Sequence, residues 1–236
     1  MAEHELIVVE DPAALSLAAA GLFADQARAA ASARDAFHVA LSGGNTPRGI
    51  YSLLATRRYA DLPWARTHVY WGDERCVPRE HPDSNYRMAR ELLLSKVPVP
   101  EAQVHPMPVS ADGSADYERT LRAALTRLDL VLLGLGTDGH TASLFPGNPA
   151  VSETRHWVAA ARAPSRPEGR LTLTLPALND ARMLLVVVAG EEKAEAFRRT
   201  LDGGTPASLL KPTDGRLVFL ADESVVDQAR EGDDTP

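Results

Sequence analysis

Hydrophobic residues follow two patterns that alternate along most of the chain. Short apolar runs, typical of buried strands, are followed by longer stretches with apolar positions every three or four residues, typical of helices. We therefore predict strands at 6–9, 37–41, 67–71, 104–107, 130–135, 157–160, 170–175, 183–189 and 217–220. The predicted helices lie at 12–34, 47–57, 84–94, 115–128, 191–201 and 222–229.

This alternation of strands and helices favours the α/β class. Such chains fold into a mostly parallel sheet with helices on both faces. The strand at 170–175, RLTLTL, instead alternates strictly, which indicates a small antiparallel addition with one exposed face. The chain shows no internal repeat and no long linker, so we predict a single domain over 1–230 and an acidic C-terminal tail over 231–236.

Composition narrows the possible partners. The 236 residues are 44% hydrophobic and carry a net charge of −7, which argues against nucleic-acid binding but allows a locally basic pocket for a small anion. The single cysteine, Cys76, excludes an intrachain disulfide and fits a reducing compartment. No stretch approaches the roughly 18 apolar residues that cross a bilayer, and the N-terminus does not resemble a signal peptide. We predict a cytoplasmic protein that binds no membrane.

Three loops follow predicted strands, and each carries groups suited to binding or chemistry. If the strands are parallel neighbours, these loops open at the carboxyl edge of the sheet, where α/β proteins bind ligands. The first, SGGNTP at 42–47, has two glycines and precedes a helix, so its backbone N–H groups could cradle a phosphate. The alternative is a plain turn that uses glycine for its positive φ.

The second and third loops carry a cation and a base. In GDERCVP (72–78), Arg75 could stabilise developing negative charge, although a solvated charged loop is the alternative. Cys76 is not marked as an activated nucleophile and fits a half-buried packing residue better. In GTDGHTAS (136–143), His140 could take a proton near neutral pH, with Asp138 to orient it. The alternative is a histidine that only caps the next helix.

Two further cationic residues, Lys193 and Arg170, could bind an anion, and several known catalytic motifs are absent. Lys193 begins a predicted helix, where a cation is unfavourable unless an anion lies near; it could equally be a surface lysine. Arg170 opens RLTLTL and could point to either face. The chain contains no GxSxG, HExxH or CxxC motif, and its other histidines lack ligand spacing, so we predict no metal site.

Five stretches, in one order along the chain, resemble the 6-phosphogluconolactonase family of the pentose phosphate pathway. They read LSGGNTP, WGDERCVP with the later DSNYRMARELLL, LGLGTDGHTASLFPG, RLTLTLPALNDA and VVVAGEEKA. The wider superfamily includes glucosamine-6-phosphate deaminase, which has a similar glycine-rich loop and DGH stretch. The resemblance implies a Rossmann-like sheet, no cofactor and a sugar phosphate substrate.

The resemblance also implies a reaction and roles in it. His140 would be the general base that activates water, Arg75 would lie near the lactone carbonyl, and Asp73 would help to set that geometry. The phosphate would be surrounded by Gly43, Gly44, Asn45, Thr46, Arg170 and Lys193. The implied reaction is metal-free hydrolysis of 6-phospho-D-glucono-1,5-lactone to 6-phospho-D-gluconate, and we expect a monomer or a weak homo-oligomer.

Two other functions stay open. An amino sugar phosphate isomerase or deaminase would release ammonia from glucosamine 6-phosphate. A phosphosugar-binding sensor would bind the ligand with its catalytic groups idle. The intact GDERCVP and HTASLFP stretches favour the lactonase over the deaminase.

Overall fold

The computed structural model describes residues 4–110 and 112–231. Its strands are β1 (Glu5–Val9), β2 (Phe37–Leu41), β3 (Thr67–Trp71), β4 (Asp73–Arg75), β5 (Leu130–Gly134), β6 (Val158–Arg162), β7 (Gly169–Leu173), β8 (Met183–Val188) and β9 (Arg216–Asp222). Its α-helices are α1 (Pro12–Arg34), α2 (Thr46–Leu54), α3 (Asn85–Ala89), α4 (Gly113–Ala124), α5 (Leu175–Asn179), α6 (Ala194–Leu201) and α7 (Glu223–Glu231).

Six strands form a parallel sheet in the order β1-β9-β8-β5-β2-β3. The central strands are the most apolar, and every residue of β8 is buried. Continuous apolar strands of this kind are typical of parallel sheets covered by helices, and α1, α2 and α7 pack against this one. Helix α6 packs on α7, and its Phe197 contacts Phe219 of β9. The α/β class predicted from the hydrophobic pattern is confirmed.

A second, antiparallel sheet has the order β4-β7-β6. It confirms the small antiparallel addition predicted from RLTLTL. Gly72 joins the two sheets, because its N–H donates to the carbonyl of Leu41 at 2.8 Å and its own carbonyl accepts from Leu173 at 2.7 Å. The chain therefore passes from β3 to β4 beside the end of β2, which brings Asp73 and Arg75 next to the glycine loop.

Two predicted strands and one predicted loop differ from the structure. Residues 104–107 form only an isolated bridge to Val69, since Pro106 and Pro108 lack the N–H groups that a longer ladder needs. The strand predicted at 170–175 ends at Leu173, and α5 begins with Pro176 in its first turn. The charged loop predicted at 72–78 contains β4, whose backbone pairs with β7.

The ends of several helices also shift. The helix predicted at 84–94 is α3 followed by a π-helical turn, Arg90–Leu94. The helix predicted at 191–201 starts as a 3-10 turn, Glu191–Lys193. Helix α7 includes Glu231, so the predicted tail does not begin there, and residues 232–236 lie outside the described part of the chain.

One continuous hydrophobic core underlies both sheets. It includes the buried residues of β5, β8 and β9 together with Val158, Leu171 and Leu173 of the small sheet. The single-domain organisation stays a prediction. In the described part of the chain, no helix combines the length and the apolar character needed to cross a bilayer.

Candidate active site

A cavity of about 730 Å³ opens at the carboxyl edge of the parallel sheet. Its walls come from all three of the loops singled out in the sequence, together with the start of β7 and the turn after β8. All nine predicted site residues line it: Gly43, Gly44, Asn45, Thr46, Asp73, Arg75, His140, Arg170 and Lys193. The predicted convergence of the three loops on one pocket is therefore present in the structure.

The glycine loop between β2 and α2 presents free backbone to the cavity. Tyr51 secures the start of the loop, since its hydroxyl accepts from the N–H of Ser42 at 3.0 Å and donates to the Ser42 carbonyl at 2.7 Å. Asn45 is the N-cap of α2, but its side chain makes no capping hydrogen bond. The first turn of α2 also contains no acidic residue, so the positive end of the helix dipole is not offset within the helix, an arrangement suited to a phosphate.

The two glycines of this loop serve different purposes. Gly44 has a φ of +94°, which side chains rarely adopt, and nothing lies within 4 Å of the position that a Cβ would take. Gly43 is needed for space, because a Cβ there would lie 1.9 Å from Oδ1 of Asn85. The reading of this loop as a turn that needs positive φ explains Gly44 but not Gly43.

His140 is held in one orientation by Asp138. Oδ1 of Asp138 accepts from the backbone N–H of His140 at 3.0 Å and lies 2.5 Å from Nδ1 of the imidazole. Burial raises the pKa of Asp138, but the hydrogen bonds from His140 outweigh it and lower that pKa. Because an ionised carboxylate can only accept, this contact requires a proton on Nδ1, and in the neutral imidazole Nε2 is then the nitrogen with the free lone pair.

The backbone around His140 is shaped to admit the imidazole. A Cβ on Gly136 would lie 2.1 Å from Nδ1 of His140, so only glycine fits there. Phe145 packs against the other side of the ring, with centroids 4.5 Å apart. Residues 141–148 form turns and no helix begins directly after His140, which contradicts the alternative of a helix cap.

Arg75 and Arg170 lie opposite each other on β4 and β7. Arg75 donates from Nη1 to the carbonyl of Asp83 at 2.6 Å, and its Nε is buried without a partner. Arg170 donates to the carbonyls of Pro167 and Gly169. Burial and then the charge of Arg75 lower the pKa of Arg170. Two cations held this close by backbone carbonyls favour an anion in the space before them.

The cavity is locally positive although the protein is acidic. Its lining has three cationic side chains, Arg75, Arg170 and Lys193, against the two carboxylates of Asp73 and Glu192. Lys193 enters from the 3-10 turn after β8. Two nearby arginines, Arg48 after the glycine loop and Arg166 before β7, do not line the cavity. Cys76 is exposed rather than half-buried.

The three charged residues of β4 do not all point the same way. Asp73 and Arg75 face the cavity, whereas Glu74 faces the start of α3. Glu74 is 3% exposed and accepts from the backbone N–H groups of Asn85 and Tyr86, both at 2.8 Å, and from the hydroxyl of Ser84 at 3.0 Å. Glu74 therefore anchors α3 to β4 and takes no direct part in the cavity.

Two residues that reasoning from the sequence missed contact Asp73. Ser143 donates from Oγ to Oδ2 of Asp73 at 2.6 Å, and Asn85 donates from Nδ2 to Oδ1 at 3.2 Å. The only signal available was their presence within the HTAS and DSNYR stretches, since neither has chemistry of its own. Their importance lies in contacts that link residues distant in sequence.

Comparison with known proteins agrees with this geometry. A family model described as glucosamine-6-phosphate isomerases/6-phosphogluconolactonase matches residues 10–219. A 6-phosphogluconolactonase of Synechocystis sp. is 42% identical over 208 residues, which cover 81% of this chain and 84% of the relative. A probable chloroplastic 6-phosphogluconolactonase 4 of Oryza sativa subsp. indica is 36% identical over 245 residues, which cover 94% and 76%.

The fold is shared with a solved structure as well. The 6-phosphogluconolactonase from Trypanosoma brucei has a TM-score of 0.88 and 29% identity to this chain, and the match covers 96% of this chain and 99% of that one. The resemblance drawn from the five stretches therefore extends over nearly the whole length of both molecules.

Proposed function

Because the chain belongs to the family of glucosamine-6-phosphate isomerases and 6-phosphogluconolactonases, we propose that it hydrolyses 6-phospho-D-glucono-1,5-lactone to 6-phospho-D-gluconate. One observation carries the proposal beyond family membership. An oriented imidazole, a pair of guanidinium groups and an open helix N-terminus line the same cavity. These are the groups that a phosphorylated ester would need for binding and attack.

The chemical step uses Nε2 of His140 as the base. Nε2 takes a proton from water as the water oxygen attacks the lactone carbonyl carbon, and the carbonyl oxygen becomes an oxyanion. The guanidinium of Arg75 stabilises this negative charge. The tetrahedral intermediate collapses with cleavage of the bond between the carbonyl carbon and the ring oxygen. The ring oxygen then takes the proton back from the imidazolium, and the product is an acid with a free hydroxyl.

The phosphate supplies binding energy away from the reacting carbon. The backbone N–H groups of the glycine loop, with Arg170 and Lys193, would surround it. Binding energy from a remote group of this kind positions the ring for attack. A δ-lactone is an activated ester, so we propose that this base and this cation suffice without a metal or a cofactor.

The decisive test is lactone hydrolysis measured against the spontaneous reaction. His140→Ala should lower kcat by about 10²- to 10⁴-fold, since it removes the general base, while affinity for 6-phosphogluconate stays nearly unchanged. The matched control is His156→Ala, which removes an exposed histidine paired with Glu118. Purified wild-type protein that adds nothing to the spontaneous rate would refute the proposal.

The same experiment separates the alternatives. Binding of 6-phosphogluconate without turnover would favour the sensor. Ammonia release from glucosamine 6-phosphate would favour the amino sugar phosphate isomerase or deaminase, and the family model names glucosamine-6-phosphate isomerases beside the lactonase. The cytoplasmic location remains a prediction, because one relative is named chloroplastic and the family does not decide the compartment. The monomeric or weakly oligomeric state also remains a prediction.

A further inference from the structure

The carboxylate of Asp73 lies where three parts of the site meet. It is 8% exposed and lines the cavity from β4, two residues before Arg75. Both of its oxygens accept hydrogen bonds from neutral side chains, Oδ2 from Ser143 and Oδ1 from Asn85. One donor belongs to the His140 loop and the other packs beneath the glycine loop, so the two loops are connected through this carboxylate.

Ser143 ties the His140 loop to the small sheet. Its side chain is fully buried, and besides the 2.6 Å bond to Asp73 its backbone N–H donates to Oγ1 of Thr172 at 3.1 Å. The preceding residue, Ala142, has a φ of +48°, an uncommon conformation for a residue with a Cβ. A loop in that conformation needs support from its surroundings, and the two bonds of Ser143 provide it.

Asn85 ties the glycine loop to β4. It is 2% exposed, and its Nδ2 donates to the carbonyl of Asp73 at 2.9 Å as well as to the carboxylate. Its backbone N–H donates to Glu74 at 2.8 Å. The carboxamide fills the space that the missing Cβ of Gly43 leaves, so the glycine loop rests directly on it.

We infer that Asn85 and Ser143 are positioning residues for the proposed hydrolysis. By bonding to the two oxygens of Asp73, they fix the phosphate-binding loop and the His140 loop relative to the strand that carries Arg75. This inference rests on the proposed function. Neither residue takes or gives a proton in the reaction; each acts through the placement of the groups that do.

The distances involved explain why such placement matters. When a catalytic group is displaced by about 1 Å from its position relative to the substrate, the rate can fall by about 10²-fold. Loss of either donor leaves a buried carboxylate oxygen without its partner, and Asp73 would then move toward other donors or toward water. His140, Arg75 and the phosphate would no longer be held at the distances that the substrate requires.

The test uses Ser143→Ala, Asn85→Ala and the double variant in the full-length protein. We expect Ser143→Ala to lower kcat by about 10- to 100-fold, with KM and the Kd for 6-phosphogluconate changed by less than about threefold. Asn85→Ala should lower kcat and also raise KM, because it touches the glycine loop. The double variant should lose less than the product of the two single losses, since both donors act on one carboxylate.

Thr67→Val is the matched control for the loss of a buried hydroxyl. Thr67 is 1% exposed and donates from Oγ1 to the carbonyl of Pro63 at 2.9 Å, at the opposite end of β3 from the cavity. It should lower Tm about as much as Ser143→Ala and leave kcat within about twofold of wild type. Should Asn85→Ala fail to fold, Asn85→Ser takes its place.

Three results would overturn the inference. They are a kcat within threefold of wild type in both single variants, fully multiplicative losses in the double variant, or a loss of kcat that only follows the loss of folded protein. Wild-type protein without lactonase activity would instead refute the proposed function, and that result is known before any variant is measured.

Discussion

At the scale of single residues, Gly43 packs directly against Asn85, the residue that donates a hydrogen bond to Asp73 in the cavity wall. An added Cβ would lie within 3 Å of three atoms of the Asn85 carboxamide, at 1.9, 2.4 and 2.8 Å. The whole amide group would have to move, and it would lose its bonds to Asp73. Glycine is therefore needed at position 43 because the Asn85 side chain, 42 positions further along the chain (85 − 43), occupies the space of a Cβ. The backbone conformation at Gly43 does not by itself explain the glycine.

Gly43→Ala is accordingly expected to lower kcat by about 10-fold or more and to lower the free energy of unfolding by about 1–3 kcal/mol, the usual range for overpacking. Steady-state kinetics and urea denaturation measure the two effects. Gly21→Ala, in the middle of α1 with open space around the new methyl group, is the control for the substitution itself. A Gly43→Ala enzyme with wild-type kcat would contradict this account.

Residues with chemistry of their own could be predicted from the sequence, and residues that act only through contacts could not. His140, Arg75 and the glycine loop carry a base, a cation and free backbone, which mark them without a structure. Asn85 and Ser143 are common polar residues whose proposed role depends on Asp73, which lies 12 positions from Asn85 and 70 from Ser143. No local pattern contains that information.

At the scale of elements, α1 and α2 each contain a glycine within the helix, and the two differ in surroundings. Nothing lies within 4 Å of a Cβ on Gly21 in α1. A Cβ on Gly49 in α2 would lie 2.5 Å from Oγ of Ser16, which donates to the carbonyl of Pro12 at 2.9 Å. Because Gly49 has no side chain, α2 approaches α1 closely while Ser16 keeps this hydrogen bond.

The same substitution should therefore have different effects in the two helices. Gly21→Ala should raise the free energy of unfolding by about 0.5–1 kcal/mol, since alanine has the higher helix propensity. Gly49→Ala should be less stable than Gly21→Ala by about 1 kcal/mol, because Ser16 must rotate and give up its hydrogen bond. Urea denaturation of both variants checks this, and equal stabilisation would show that Ser16 moves aside without cost.

Elements with a clear apolar pattern could be predicted, and those held by polar contacts could not. The run MLLVVV predicts a buried strand, and β8 is one. Strand β4 reads Asp-Glu-Arg, and nothing in those letters indicates that Glu74 binds the start of α3 while Asp73 and Arg75 face a cavity. The sequence does not predict helix α5, because the alternation of RLTLTL continues through Thr174 and Leu175, beyond the end of β7 at Leu173.

At the scale of the whole molecule, three histidines form a stack on β2, β3 and the segment that follows α3. His38 and His68 have ring centroids 4.8 Å apart, and His68 and His105 lie 5.6 Å apart and nearly parallel. Tyr70 stacks on His105 at 4.6 Å. Burial lowers the pKa of all three histidines, and the neighbouring rings lower those of His38 and His105 further.

Two charged residues near this stack shift the pKa of His38 in opposite directions. Asp129 raises the pKa of His38 and Arg34 lowers it, and burial outweighs both. The folded protein thus binds fewer protons at these histidines than the unfolded chain does below about pH 6.5, the ordinary value. Their contribution to stability is complete above that pH and is lost as the pH falls from there through the lowered folded-state values.

We therefore expect the free energy of unfolding to decrease between pH 7 and pH 5, and His68→Phe to make the decrease smaller. Phenylalanine keeps an aromatic ring at the centre of the stack but takes no proton. Urea denaturation at a series of pH values compares the two proteins. If the free energy of unfolding changes equally with pH in wild type and variant, the stack does not contribute to the pH dependence.

The fold class could be predicted at this scale, and the arrangement of the strands could not. Each strand is marked by its own apolar run, but its neighbours in the order β1-β9-β8-β5-β2-β3 are chosen by contacts between distant segments. The meeting of the two sheets at Gly72 likewise depends on hydrogen bonds to Leu41 and Leu173. Family resemblance supplied the site roles that hydrophobic periodicity alone does not contain.

The pairing of β1 with β9 has a consequence for the order in which the sheet assembles. Glu5 of β1 lies beside Val218 of β9, although the two residues are far apart in the chain. In the sheet formed by the described residues, β9 is the neighbour of β1, so β1 can join only after β9 has paired with β8. Closing so long a loop is slow, and we expect amide hydrogen exchange during refolding to show β1 protected later than β8.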